Sequence, residues 1–293
     1  MKAAAFDYVR ATSLGEVCGY LADDGIESRI IAGGQSLVPM MAMRLVRPEL
    51  LIDINGIEGL SGIRRQDGRI AIGAATRQAA LEWDDAIQSD VPLMALALPF
   101  IGHDQTRNRG TVGGSLAHAD PSAEIGLVAT TLDATVMATD GTSEREIGIA
   151  DFLLGPMTSD LDPSECMTEV LFPVWDDGRN VGAGFQEVSS RDSDFAIVAA
   201  AAQVTLDGDG ACQRAACAIA NAAPTPLRLT ALEEALIGER PSEALLSAHI
   251  SLIDDALDPS ADLHASTSAR FHMARSLMSR AILQAAENAA KQG

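Results

Sequence analysis

Two adjacent glycines divide a strand pattern from a helix pattern in the stretch Ile31-Ala-Gly-Gly-Gln-Ser-Leu-Val38. A second stretch of the same kind reads Arg107-Asn-Arg-Gly-Thr-Val-Gly-Gly-Ser-Leu-Ala117. Glycine lets the backbone approach a ligand closely, and successive N–H groups in such a turn can bind an anion. Each stretch also opens a helix pattern, whose N-terminal end favours negative charge. The pair predicts two walls of one site for a pyrophosphate.

The distribution of charge supports an anion site at these stretches. The 293 residues include 41 Asp and Glu against 21 Lys and Arg, which gives a net charge of −20. Residues 31–48 and 105–119 nevertheless contain no acid, and besides the double glycines they hold Arg44, Arg47, Arg107 and Arg109. Basic groups without acidic neighbours attract an anion. The alternative is that the paired glycines only form tight turns.

The basic residues exclude several classes of protein. Only Lys2 and Lys291 are lysines, and both lie at the ends of the chain. A pyridoxal phosphate enzyme or a P-loop protein needs a lysine on an interior element, so neither class fits. The sequence also lacks a G-x-G-x-x-G motif of the Rossmann type. A charge this negative disfavours nucleic acids and anionic membranes as partners.

The four cysteines predict no metal site. Cys18, Cys166, Cys212 and Cys217 lack the spacing of zinc or iron–sulfur ligands, so we expect reduced core residues. No apolar run reaches the roughly 18 residues that a membrane span requires. Asp7 interrupts the first apolar stretch too early for a signal peptide. The sequence therefore predicts a cytoplasmic chain without a membrane span.

Periodicity predicts alternating helices and strands in the first part of the chain. In the first 55 residues, helices are expected at 14–22 and 37–45, and strands at 29–32 and 50–54. Short strands and glycine turns follow from residue 56, with helices expected at 77–83, 91–98 and 123–132.

A run rich in Gly and Asp, residues 175–184, is the predicted domain boundary. Beyond it the pattern predicts a hairpin of two strands, 197–206 and 211–220, joined by Asp207-Gly-Asp-Gly210. The rest of the chain is predicted to be helical, at 227–237, 242–257 and 269–290.

Several long segments resemble one known family. The first half contributes residues 6–14, 32–54 (AGGQSLVPMMAMRLVRPELLIDI), 72–77 (IGAATR) and 101–124 (IGHDQTRNRGTVGGSLAHADPSAE). The second half contributes residues 184–201 and 223–236. Over nearly its whole length the chain resembles the FAD-binding medium subunits of the molybdenum hydroxylases. That family includes carbon monoxide dehydrogenase, quinoline and nicotine oxidoreductases and the flavin part of xanthine dehydrogenase.

The resemblance implies an α+β fold with FAD as the cofactor. Residues 1–176 would form a PCMH-type FAD-binding domain, as in vanillyl-alcohol oxidase, from two α/β subdomains at about 1–55 and 56–176. Residues 182–290 would form a C-terminal domain with an antiparallel sheet and helices, like that of the carbon monoxide dehydrogenase flavoprotein.

The resemblance also implies the residues of the cofactor site. The pyrophosphate cradle would consist of Ala32, Gly33, Gly34, Gln35, Ser36 and Leu37 together with Thr111, Gly113, Gly114 and Ser115. The adjacent Ile31 and Ala117 would also bind the cofactor. The ribityl chain and the isoalloxazine would lie along His118, Asp120 and Glu124, and the apolar contacts would come from Ile101, Leu161 and Met167. The alternatives are that Glu124 is an ordinary first-turn acid and that Leu161 and Met167 are core residues.

Two further residues are expected near the flavin ring. The family often has a lysine where this chain has Gln186, within Gly184-Phe-Gln-Glu187. A fixed cation would stabilise the anionic reduced flavin more than an amide does. We therefore expect the reduced flavin to be less favoured here than in lysine-bearing relatives. Phe195 is expected over one face of the flavin, with core packing as the alternative.

The implied function is electron transfer without a catalytic acid–base pair. In the family, a large molybdopterin subunit hydroxylates the substrate and a small subunit carries two [2Fe–2S] clusters. FAD then passes the electrons to an external acceptor. Four cysteines are too few for two clusters, which need about eight, so substrate oxidation must take place on other subunits. The resemblance implies that both partners join this chain in a dimer of heterotrimers. The alternatives are a stand-alone FAD-dependent oxidase or reductase and a nucleotide-binding scaffold without a redox role.

Overall fold

The computed structural model describes residues 2–175 and 180–292, and it opens with a small parallel sheet covered by helices. The strands β1 (Asp7–Arg10), β2 (Ser28–Ile31) and β3 (Leu50–Asp53) lie in the order β1-β3-β2. Helices α1 (Leu14–Leu21) and α2 (Leu37–Ala42) make the crossovers that parallel strands require. The predicted α/β pattern of this segment is confirmed, although α2 ends before residue 45.

A five-stranded sheet with helices around it forms the second unit. Its strand order is β4-β5-β10-β6-β7. The resemblance implied an α/β subdomain here, but every pair of neighbouring strands is antiparallel, so the unit is of the α+β type. Its elements are β4 (Ile63–Gln66), β5 (Arg69–Gly73), α3 (Gln78–Leu81), α4 (Asp85–Asp90), α5 (Pro92–Ala97), a 3-10 turn (Leu98–Phe100), α6 (Asp104–Arg107), α7 (Val112–His118), α8 (Glu124–Thr131), β6 (Thr135–Thr139), β7 (Glu144–Gly148), α9 (Ile149–Phe152), β8 (Leu153–Gly155), β9 (Thr158–Ser159) and β10 (Cys166–Pro173).

The C-terminal unit is a four-stranded antiparallel sheet with three helices. The predicted hairpin is confirmed as two neighbouring strands of this sheet. The predicted helix 227–237 begins only at Thr230, because the two residues 227 and 228 pair with a neighbouring strand. The predicted helix 242–257 is a short α-helix that continues as a 3-10 turn. The elements are β11 (Val181–Ser189), β12 (Ala196–Leu206), β13 (Cys212–Ala220), β14 (Leu227–Arg228), α10 (Thr230–Leu236), α11 (Glu243–His249), a 3-10 turn (Ile250–Ala256) and α12 (Thr267–Ala290).

The predicted domain boundary falls partly on described residues. Residues 181–184 open β11, so the glycine-rich run does sustain an element there, because its glycines suit the close packing described next. Residues 176–179, the centre of the predicted linker, lie outside the described residues. The division of the chain at 176 and 182 therefore stays a prediction.

Helix α12 packs very closely on one face of the C-terminal sheet. A Cβ on Gly184 would come within 2.9 Å of the Ala285 nitrogen, and one on Gly182 within 2.8 Å of the Ala289 Cα. Side chains alternate between the two faces of a strand. Positions 182, 184 and 186 of β11 therefore face α12, and positions 183, 185 and 187 face the opposite way.

The opposite face of that sheet packs on the first half of the chain, mainly through α5 and α8. Phe185 contacts Phe100, with ring centroids 5.0 Å apart. All residues of α8 are buried, and at its far end Arg228 of β14 pairs with Asp133 at 2.7 Å. One hydrophobic core therefore runs without interruption from the five-stranded sheet into the C-terminal sheet.

The cysteines are core residues, as predicted. Cys18, Cys166, Cys212 and Cys217 are all buried free thiols. Within residues 2–175 and 180–292, no helix combines the length and the apolar character needed to cross a membrane.

We expect Gly184→Ala to lower the free energy of unfolding by about 3 kcal/mol, because the added methyl group overlaps the backbone of α12. Gly15→Ala in α1 is the control, since a Cβ there meets no atom within 4 Å. It should be neutral or stabilise the helix by up to about 1 kcal/mol. Urea unfolding of both variants measures the difference, and equal midpoints would contradict the close packing of α12.

Candidate cofactor-binding site

The two glycine-rich loops lie against each other, backbone to backbone. A Cβ on Gly33 would overlap the carbonyl oxygen of Arg109 and would lie 2.9 Å from the Cα of Gly110. The first loop follows β2 of the parallel sheet, and the second precedes α7 of the antiparallel unit. The structure therefore brings together the two loops that the sequence paired, and only glycine at position 33 permits their contact.

The first loop leaves several N–H groups free. Among the described residues, no protein oxygen accepts a hydrogen bond from the N–H of Gly34, Gln35 or Ser36. The Gln35 side-chain amide donates to the carbonyl oxygen of Gly33 at 3.2 Å, within the same turn. Successive free N–H groups of this kind form a concave site for an anion. The first loop can therefore hold a pyrophosphate.

The second loop uses its N–H groups inside the protein. The N–H of Gly113 donates to the carbonyl oxygen of Ala74 at 2.9 Å, and the N–H of Gly114 donates to Thr111 Oγ1 at 3.1 Å. A Cβ on Gly113 would lie 2.5 Å from that of Ala74. This corrects the expectation that both loops offer rows of free N–H groups, because the second loop serves first as a packing surface.

One of the arginines in the acid-free windows does not face the site. Arg107 is buried, and it forms ion pairs with Glu82 and, at 2.6 Å, with Asp104. It also donates to the carbonyl oxygens of Ile101 and Gly102, at 3.1 and 2.8 Å. Its charge is therefore neutralised by Asp104, which borders the window, and by Glu82, which lies far before it in the sequence. The correction is that Arg107 holds the segment around Ile101 in place and does not bind the anion.

A polar network that the sequence reading missed ties the loops together. The guanidinium of Arg77 donates to the carbonyl oxygen of Arg109 and, at 2.6 Å, to Asn55 Oδ1. Asn55 Nδ2 in turn donates to the carbonyl oxygen of Ala32 at 2.9 Å and to Asp53 Oδ1 at 2.6 Å. The position of Asp53 and Asn55 at the carboxyl end of a predicted strand, where ligands often bind, was a usable signal.

The charges in this network favour an anion. Burial lowers the pKa of Arg77, and the nearby charge of Arg109 lowers it further. Burial would raise the pKa of Asp53, but hydrogen bonds from Tyr8 and Asn55 outweigh it and lower the pKa. Asp53 is therefore ionised and fully engaged by donors, while Arg77 and Arg109 place two positive charges beside the glycine loops.

The acidic residues expected along the cofactor lie just after α7. Ala119 ends this helix with a left-handed φ of 51°, and Asp120 accepts hydrogen bonds from the N–H and the hydroxyl of Ser122. Glu124 begins α8 and is only 9% exposed. Burial raises the pKa of Glu124 to about 7. A hydrogen bond from the backbone N–H of Glu124 lowers this pKa in part, and the negative charge of Asp120 raises it further. Glu124 is thus a first-turn acid, and also an unusually buried one.

The remaining predicted residues lie in different surroundings. Ile101 and Met167 are buried in the core, and Leu161 packs against it, so their contact with a cofactor stays a prediction. Phe195 is 74% exposed, which rules out the alternative of core packing. In the loops, Ser36 and Ala117 are exposed, whereas Ile31, Ala32, Leu37, Ser115 and His118 are partly buried.

Gln186 does not face the first half of the chain. Its side-chain amide donates to Gln284 Oε1 of α12 at 2.8 Å, on the α12 face of β11. Strand alternation instead turns Phe185 and Glu187 towards the antiparallel unit. Of this segment, the strand therefore presents Phe185 and Glu187, and not Gln186, to the cofactor-binding half. The expected effect of position 186 on the flavin potential stays a prediction.

Both halves of the chain match models of known protein families. Residues 4–175 match the family model described as "FAD binding domain in molybdopterin dehydrogenase". Residues 183–285 match the "CO dehydrogenase flavoprotein C-terminal domain". The chain is 41% identical to the 6-hydroxypseudooxynicotine dehydrogenase complex subunit alpha of Paenarthrobacter nicotinovorans, over 99% of this chain and 97% of the relative.

Solved structures of similar proteins share the whole fold. A chain of quinoline 2-oxidoreductase from Pseudomonas putida 86 superposes with a TM-score of 0.93 at 34% identity, with 99% of both chains covered. A chain of carbon monoxide dehydrogenase from Hydrogenophaga pseudoflava gives a TM-score of 0.93 at 31% identity, with 98% of this chain and 99% of that chain covered. The predicted α+β fold class is confirmed.

We expect Gly33→Ala to weaken the binding of FAD by at least about tenfold, equivalent to about 1.4 kcal/mol. The added methyl group must push the first loop away from the Arg109 carbonyl oxygen. Gly19→Ala is the control, because a Cβ there meets open space in α1. Flavin absorbance after gel filtration measures the retained FAD, and full retention by Gly33→Ala would contradict the role of the loop contact.

Arg77→Lys should also weaken FAD binding, by about tenfold, although the charge is retained. A lysine cannot donate to the Arg109 carbonyl oxygen and to Asn55 in the geometry of a planar guanidinium. Arg29→Lys, at an exposed position of β2, is the matched control. Titration of each chain with FAD gives the affinities, and equal values for the two variants would show that the network does not hold the loops.

Proposed function

The chain belongs to the family of FAD-binding subunits of the molybdenum hydroxylases, and we propose that it passes electrons from a partner's iron–sulfur clusters through FAD to an external acceptor. The observation that supports this proposal is the meeting of the two glycine loops beside Arg77. Where the loops meet, the free N–H groups of the first loop lie close to the positive charges of Arg77 and Arg109. These donors suit the pyrophosphate of FAD. Because the only two lysines lie at the ends of the chain, this group must be bound without a lysine.

FAD supplies the redox chemistry, because a bound flavin can accept electrons and pass them on. This chain binds and orients the cofactor. The N–H groups of Gly34, Gln35 and Ser36 would hold the pyrophosphate, and Arg77 and Arg109 would balance its charge. The segment that carries His118, Asp120 and Glu124 continues from the second loop and would line the rest of the cofactor.

The iron–sulfur clusters are proposed to lie on a partner subunit. The four cysteines of this chain are buried thiols within the core, and burial raises the pKa of Cys166 to about 12 and that of Cys212 to about 11. Thiols of this kind resist the deprotonation that ligation requires. We propose that a large molybdenum-binding subunit and a small [2Fe–2S] subunit complete the enzyme, as a dimer of heterotrimers in the cytoplasm.

The substrate would be selected by the large subunit. The relative at 41% identity is named for 6-hydroxypseudooxynicotine, and the structure at 34% identity for quinoline. Both compounds contain an aromatic ring with nitrogen, so we propose a nitrogen heterocycle as the substrate class of the assembled enzyme.

The test compares the full-length chain with the complex assembled from its three subunits. We expect the chain alone to bind FAD and to stay oxidised when a heterocycle is added without oxygen. In the complex, the same addition should bleach the flavin. Rapid flavin reduction in the chain alone would support a stand-alone oxidase or reductase, and failure to bind FAD would contradict any flavin function.

A further inference from the structure

Helix α2 is apolar on every side, although little of it is buried. Its six residues read Leu-Val-Pro-Met-Met-Ala, and among them only Met41 is buried. Val38 is 49% exposed, and Met43, which caps the helix, is 52% exposed. A helix without a polar face is normally covered on all sides. In the part of the chain that the structure describes, the outward side of α2 has no such cover.

The turn after α2 holds an arginine where glycine would be favoured. The N–H of Leu45 donates to the carbonyl oxygen of Met40 at 2.9 Å, and that of Arg44 donates to Met41 at 3.0 Å. These two bonds form a Schellman motif, in which the residue after the cap has a left-handed backbone and is usually glycine. Arg44 adopts this backbone with a φ of 59°. Leu45, which follows it, is 68% exposed, so the apolar surface continues past the end of the helix.

Basic residues lie beside this α2 surface, which Val38, Met43 and Leu45 define. Arg44 Nε donates to the carbonyl oxygen of Lys2 at 3.3 Å, so Lys2 lies next to it. Arg47 is exposed, and within residues 2–175 and 180–292 neither arginine forms an ion pair. In a chain with a net charge of −20, these cations are available to an acidic partner.

The next acid along the chain does not neutralise these arginines. Residues 31–48 contain no acid, and Glu49 follows directly. The carboxylate of Glu49 accepts a hydrogen bond from the backbone N–H of Glu27, at 3.3 Å. The acid-free window that the cofactor loops share with α2 therefore keeps its positive charge in the folded chain.

This combination of side chains is typical of a protein interface. Interfaces have an apolar centre and a polar rim, and methionine and arginine are enriched in them. The α2 surface would form the centre, and Arg44 and Arg47 would form part of the rim. Two copies of this chain that met symmetrically through α2 would bring their arginines together, which is unfavourable. Charge complementarity favours a different protein, with acids around an apolar patch.

The position of α2 favours one of the proposed partner subunits. The helix follows the loop proposed to hold the FAD pyrophosphate, and at 1.5 Å per residue its six residues span about 9 Å. The subunit that must approach FAD is the one that delivers electrons to it. We propose that the α2 surface, with Arg44 and Arg47, binds the small [2Fe–2S] subunit through an apolar patch with an acidic rim on that subunit. This inference rests on the function proposed above.

The test titrates the full-length chain with the purified small subunit at several salt concentrations. The wild-type affinity should fall as salt rises, because salt screens the charges at the rim. Leu45→Ser should weaken the association by at least about tenfold, since it removes an apolar side chain from the centre of the interface. Leu263→Ser, at a fully exposed leucine of the C-terminal half, is the matched control and should bind as the wild type does.

Arg44→Gly separates docking from folding. Glycine adopts the left-handed backbone without strain, so the urea unfolding midpoint of the isolated chain should be at least that of the wild type. The affinity for the small subunit should nevertheless fall by at least about fivefold, and its salt dependence should be weaker. Asp67→Gly, at another exposed residue with a left-handed φ of 48°, is the control and should keep the wild-type affinity.

Wild-type affinity of both Leu45→Ser and Arg44→Gly for the small subunit would overturn the proposal. Weaker binding to the large subunit alone would assign the α2 surface to that subunit, and a change in the oligomeric state of the isolated chain would assign it to a second copy. A loss of FAD affinity in both variants would assign it to the cofactor. Each of these results overturns the proposal. Failure of the wild type to bind FAD would contradict the proposed function itself, and it is measured separately from docking.

Discussion

The backbone contact of Gly33 with Arg109 and Gly110 is the constraint on which the cofactor site depends. It joins a loop of the parallel sheet to a loop of the antiparallel unit, so neither unit can form the site alone. The contact leaves no space for a side chain, and Arg77 fixes it by donating to the same Arg109 carbonyl oxygen. The free N–H groups of the first loop owe their position to this contact, because the loop itself has few other partners.

Sequence patterns could identify the loops but not the use of their donors and charges. Double glycines and missing acids are local features, and they identified two loops that the fold brings into contact. Arg107 is not available to a ligand because it pairs with Glu82. Glu82 lies 25 residues earlier in the chain, so the pair forms only in the folded state. In the same way, the N–H of Gly113 is taken by Ala74, a partner that no local pattern reveals.

The orientation of β11 shows where a usable pattern was overlooked. Gly182 and Gly184 alternate along the strand, and small residues at every second position indicate close packing by a helix. That pattern places position 186 on the helix side and position 187 on the cofactor-binding side. The short strand β14 was harder to foresee, because two residues form a strand only through a partner strand, which periodicity does not show.

The acidic residues are distributed unevenly around the site. A chain with a net charge of −20 leaves acids out of both loops, and the positive charges of Arg77 and Arg109 can therefore act on an anion there. Acids return where α8 meets the C-terminal sheet, in an apolar setting that favours their neutral form. At the other end of α8, Arg228 joins the two halves through its ion pair with Asp133.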